Sequence, residues 1–102
     1  MIKYEVRILK PAAEDIEGIA AYHLRMVGTQ SAEKITDKIL DTIQILEDHP
    51  FAGSEHPDSI LREQHFRKLI CGDHVCSYKS IEYTVFIYRI LHVATDYPEF
   101  LN

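Results

Sequence analysis

The sequence predicts an α+β domain of order β-α-α-β-β-β, a helical hairpin packed on one face of an antiparallel sheet. Three observations predict it. The apolar period changes from two to about 3.6 after the first ten residues and returns to two in the last third. The two helical stretches are joined by so short a turn that they fold back antiparallel. A two-helix unit with one apolar stripe and a sheet with one apolar face each need the other to leave water.

Each element follows from its residues. Tyr4, Val6 and Ile8 alternate with Glu5 and Arg7, as in a strand with one face toward a core. Pro11 suits the first turn of a helix, where its missing N–H has no partner to lose. Ala12, Ile16, Ile19, Ala20, His23 and Val27 recur at three- and four-residue spacing, which sets a helix over 12–27 with Gly28 as its left-handed cap. Thr29 or Ser31 is positioned to cap a second helix over 30–48, whose seam is Ala32, Ile35, Ile39, Ile43 and Leu46; Pro50 and Gly53 stop it. Glu33, Asp37 and Asp41 stack along that helix beside Lys34 and Lys38 and read as a solvated face. Residues 50–64 read as a loop with a short turn at 59–62. Strands are expected over 65–71, 74–79 and 83–92, with turns at Gly72-Asp73 and near 80–82, followed by a short tail over 96–102.

The chain has 102 residues, 46% hydrophobic and 26% charged, which is one ordinary globular domain spanning 1–102. A chain this size buries roughly two thirds of its unfolded surface, too little for a separate cofactor domain. With 11 Lys and Arg against 16 Asp and Glu, the net charge of -5 argues against a protein that coats phosphate backbones, and leaves room only for a local basic patch. No stretch approaches the ~18 apolar residues of a membrane span and the N-terminus lacks the apolar core of an export signal, so a cytoplasmic location without membrane contact is expected. Cys71 and Cys76 are too few for a disulfide framework and are not spaced as C-x-x-C; reduced core residues are the expectation.

Six histidines, at 23, 49, 56, 65, 74 and 92, form neither H-x-x-x-H nor H-E-x-x-H, so neither a metal nor any other cofactor is expected. His23 lies in the apolar stripe of the first helix and reads as a hydrogen-bonded core or interface residue. There is no G-x-S-x-G elbow to set a nucleophile beside a base.

The last third carries the specific pattern: Phe66-Arg67-Lys68-Leu69, then Gly72-Asp73-His74 with Tyr78, then Arg89-Ile90-Leu91-His92 followed at four residues by Asp96. Upstream, Pro11-Ala12-Ala13, Asp15-Ile16 with Ile19, and Leu46 with Pro50 and Gly53 fit the same family. Together these residues resemble the RelE/ParE superfamily of toxins and lean to its ParE branch. The resemblance implies a bacterial toxin of a type II toxin–antitoxin module of the plasmid-stabilisation type, held inactive by a cognate antitoxin protein that wraps its surface. RelE-like members cut mRNA on the ribosome with arginines, lysines and a C-terminal Tyr or His; ParE-like members act on DNA gyrase without that set.

The residues favour the second branch. Cleavage of a phosphodiester requires converging cations and an acid–base group. Here His74-Val75 occupies the position where cleaving members carry Arg, and Val93, Ala94 and Thr95 follow His92 where another Arg would stand. Gyrase inhibition is therefore ranked first, a ribosome-dependent mRNA endoribonuclease second, and a non-toxic member that retains only antitoxin binding third. Candidate target- or partner-binding residues are Arg67, Lys68, His74, Arg89 and His92, with Leu24, Met26, Leu40 and Ile45 as apolar antitoxin contacts; a ribonuclease would use Arg67, Arg89, His92 and Tyr97. Arg89 and His92 are three apart, so a regular strand puts them on opposite faces unless it bends. Arg89 is equally suited to pair with a carboxylate, His92 to cap the sheet edge and Tyr97 to anchor the tail. A homodimer and a toxin–antitoxin hetero-oligomer both stay open.

Overall fold

The structure, a computed structural model, describes residues 2–95. Strand β1 spans Glu5–Ile8 and helix α1 Lys10–Met26, with Pro11 in its first turn. Helix α2 spans Thr29–Asp48, so both helices lie within two residues of the expected bounds. Between them Gly28 has φ +141° and ψ 178°, and its N–H and that of Val27 both donate to the His23 carbonyl. Neither Thr29 nor Ser31 caps α2: Thr29 is already helical, and the Ser31 hydroxyl lies 2.9 Å from His23 Nδ1. That bond ties the end of α1 to the start of α2.

The segment expected to be a loop contains two small elements. Strand β2 is Ser54–Glu55 and helix α3 is Ser59–Glu63, capped by the Asp58 carboxylate, which accepts the N–H groups of Ile60 and Leu61. Strands β3 (Arg67–Cys71), β4 (His74–Ile81) and β5 (Thr84–His92) then form the meander. Gly72, at φ +61°, turns the chain from β3 to β4. Strand β4 runs on past the expected turn, which falls instead at Glu82-Tyr83 with Glu82 at φ +56°.

The strand order is β1-β5-β4-β3-β2, and β1 is parallel to β5, from Glu5 beside Thr84 to Ile8 beside Ile87. The sheet is therefore mixed, not purely antiparallel. The physical reason is directional: the helical hairpin carries the chain to the far side of the sheet, and the meander returns strand by strand until β5 meets β1.

The core lies between the helices and the sheet. Ala12, Ile39, Ile43 and Leu46 of the helices meet Cys71, Cys76, Tyr78, Val85, Ile87 and Ile90, with Tyr4, Val6, Ile16 and Ile19 packed around them. Ile87 and Ile90 are three apart yet share this face, because Ser77 pairs with Arg89 and Tyr78 with Ile87, leaving Tyr88 as the extra residue of a β-bulge. Leu61, Phe66 and Val75 are also buried but lie outside that cluster. Cys71 and Cys76 are buried free thiols, and burial pushes Cys76 up to about 12. Among the described residues no helix is long and apolar enough to cross a membrane.

Candidate functional site

The candidate residues fall into two groups at opposite ends of the sheet. At one end, His74 of β4 stands directly across from His92 of β5, their rings 5.8 Å apart and edge to face. Strand alternation places His92 with Ile90 on the helix-facing side, where α1 brings His23, Tyr22 and Glu14 over them. The result is a cleft of about 630 Å³ between α1 and the ends of β4 and β5, also lined by Asp15, Gly18 and Asp73. His74 is 9% exposed and its Nδ1 has no hydrogen-bond partner. Burial lowers its pKa, as do His92 and His23, while Asp73 works the other way. His92 Nδ1 accepts the Ala94 N–H, which sets the tail of the strand.

Arg89 sits beside this cleft and is engaged by Asp15. Its Nε and Nη2 donate to the two carboxylate oxygens at 2.7 and 2.8 Å, and the same carboxylate accepts the Ile90 N–H at 3.0 Å. The bidentate bond raises the Arg89 pKa further above its already high value. Asp15 thus serves β5 where β1 no longer covers it, since β1 ends opposite Ile87.

At the other end, Arg67 Nε and Nη2 donate to the Gly53 carbonyl at 3.0 and 2.7 Å, and its guanidinium lies 5.4 Å from the centre of the Phe51 ring. The Gly53 N–H donates in turn to the Tyr78 hydroxyl at 2.9 Å. Burial raises the Tyr78 pKa against the opposing pull of that bond and of Arg67. Arg67 therefore fastens β2 to the sheet. Lys68 is half-buried beside Ser54 and Ser77, and Lys79 holds its ammonium over Phe66 at 4.7 Å and Tyr88 at 5.4 Å.

The chain does not bring Arg67 and His92 together. His92 registers with His74 and hence with Cys71, four positions along β3 from Arg67, about 13 Å at the rise of a strand. Arg89 and His92 are not drawn onto one face either, because the bulge falls before Arg89 rather than between the two. Leu24, Met26, Leu40 and Ile45 are all exposed on the helices. Tyr97 lies outside the described residues. Sequence reasoning passed over Asp15 and Asp73 as site residues, and read His23 as a hydrogen-bonded core or interface residue without chemistry, which its contact with Ser31 matches. No local pattern distinguishes these three, because the cleft is made by elements distant in the chain.

With this geometry in hand, the comparisons are specific. The family model of the ParE toxin of type II toxin–antitoxin systems matches residues 6–97, and the chain belongs to that family. The chromosomal ParDE toxin–antitoxin system from P. aeruginosa superposes with a TM-score of 0.77 at 18% identity, covering 91% of this chain and 99% of that one. The toxin–antitoxin complex RelBE2 from Mycobacterium tuberculosis gives 0.67 at 17% identity, covering 89% and 99%. At such identities these likenesses speak for the fold alone. A search of curated proteins finds no match. The chain is a type II toxin–antitoxin toxin by family, with an α+β fold shared by ParE-like and RelE-like proteins.

Proposed function

We propose that this toxin acts by binding and inhibiting DNA gyrase, and that a cognate antitoxin neutralises it. The observation that carries the reading is the engagement of its arginines: Arg67 is bound to the Gly53 carbonyl and Arg89 to the Asp15 carboxylate. A ribonuclease needs such cations aimed at one phosphate, beside an acid–base group. The separation of Arg67 from His92 along the sheet weighs against that arrangement. The solved relatives are toxin–antitoxin systems, which supports an antitoxin as partner; Leu24, Met26, Leu40 and Ile45 offer apolar contacts to an amphipathic segment of it.

The test is a gyrase supercoiling assay run beside ribosome-programmed mRNA cleavage with the same purified chain. Inhibited supercoiling with intact mRNA is expected. Cleavage at codon positions that is lost in a folded His92→Ala variant moves the protein to the ribonuclease reading. Antitoxin binding with neither activity leaves the non-toxic reading.

A further inference from the structure

We infer that residues 50–66 form a strap that opens from the sheet as one unit while the helix–sheet core stays folded, and that its latch is Gly53. The strap carries β2, the last strand of the sheet and only two residues long, so its departure leaves every other strand pairing in place. Among the described residues, none of the strap belongs to the core cluster between the helices and the sheet. Its own apolar side chains, Leu61 and Phe66, are buried outside that cluster, so a second and smaller packing unit lies beside the main one. A segment that shares so little of the main core opens at a free energy below that of global unfolding.

Within the strap the hydrogen bonds are mutual. The Asp58 carboxylate caps α3 and the Asp58 N–H donates to His56 Nδ1, while the Phe66 N–H donates to the Leu61 carbonyl and the Phe66 carbonyl accepts the His56 N–H. These bonds tie both ends of the loop to α3, so the segment moves as a piece. Its ties to the sheet converge on Gly53, whose carbonyl accepts twice from Arg67 and whose N–H donates to the Tyr78 hydroxyl. The two backbone pairs of β2 with β3 and the Phe66 ring against Tyr88 add to that hold. At the far end of the strap His65 has φ +68°, a left-handed conformation that is costly for a residue with a side chain and that the open strap is free to leave. Opening also takes the Gly53 carbonyl from the Arg67 guanidinium, so the strap governs when that cation is available to a partner. The inference is independent of gyrase as the target.

The test is native-state amide hydrogen exchange of the isotope-labelled full chain, followed by NMR in low concentrations of urea. The hydrogen-bonded amides of Gly53, His56, Leu61 and Phe66 report the strap, and those of Ile39 and Leu46 in α2 report the core. The strap amides are expected to converge on one opening free energy with one shallow urea slope, exchanging at least about ten-fold faster than the core amides after correction for intrinsic rates. Arg67→Gln removes the latch from the closed form alone and should speed both sets about ten-fold, because the open and the unfolded chain both lack it already. Ile43→Val, a mild change in the core that open and closed forms share, should speed the core amides about five-fold and leave the strap amides unchanged. Strap amides that scatter, that share the urea slope of the core, that speed up with the core in Ile43→Val, or that ignore Arg67→Gln would overturn the inference.

Discussion

Gly53 is gripped from several directions, and the grip makes a prediction. A Cβ there would meet the Lys68 carbonyl oxygen and stand 2.8 Å from the Tyr78 hydroxyl, backbone and buried ring that have little room to yield. Gly53→Ala should cost about 1–3 kcal/mol, read as a lower urea midpoint. Asp15→Ala takes the carboxylate from an Arg89 side chain only 19% exposed and from the Ile90 N–H. A loss of about 2–4 kcal/mol is expected, with removal of both partners milder than the single change because no abandoned charge is left behind. Cys76, held at about 12, should resist alkylation at neutral pH in the folded chain and react once urea unfolds it. These residue-level roles were the least legible part of the sequence. The sequence offered a carboxylate for Arg89 but could not say which, and gave no partner for Arg67, because their acceptors, a carboxylate 74 residues away and a carbonyl 14 residues away, leave no local trace.

At the scale of elements, the helices were legible because their stripes are long and regular, and the last three strands because turn residues punctuate them. What alternation cannot give is direction. Tyr4, Val6 and Ile8 announce a strand with a buried face but say nothing of whether its neighbour runs with it or against it. β2 escaped notice, and α3 was read only as a short turn at 59–62, for a different reason: two and five residues are too few to show a period. The helical hairpin itself depends on Gly28, whose φ of +141° and ψ of 178° fall in a region essentially closed to residues with a side chain. No atom lies within 4 Å of the place a Cβ would take, so Gly28→Ala tests conformation without crowding. It should cost about 1–3 kcal/mol, seen as a lower melting temperature with an unchanged helical circular-dichroism signal below it.

For the molecule as a whole, acid should be destabilising beyond what its carboxylates contribute. His56 and His74 both have pKa values lowered from 6.5, each chiefly by burial. The unfolded chain then binds protons that the folded chain resists, so the neutral rings permit full stability above that value and stability falls as pH drops below it. Urea midpoints should decline from about pH 7.5 to about pH 5.5, and His74→Asn should flatten the decline in that interval. The parallel pairing of β1 with β5 has its own consequence, in time rather than in energy. The first strand to be synthesised waits for the last, with nearly the whole chain between them, and a contact of that span is slow to close. A nascent chain therefore keeps one edge of β1 without its partner until Thr84–His92 has emerged, so the sheet closes in the reverse of the order in which its strands are made.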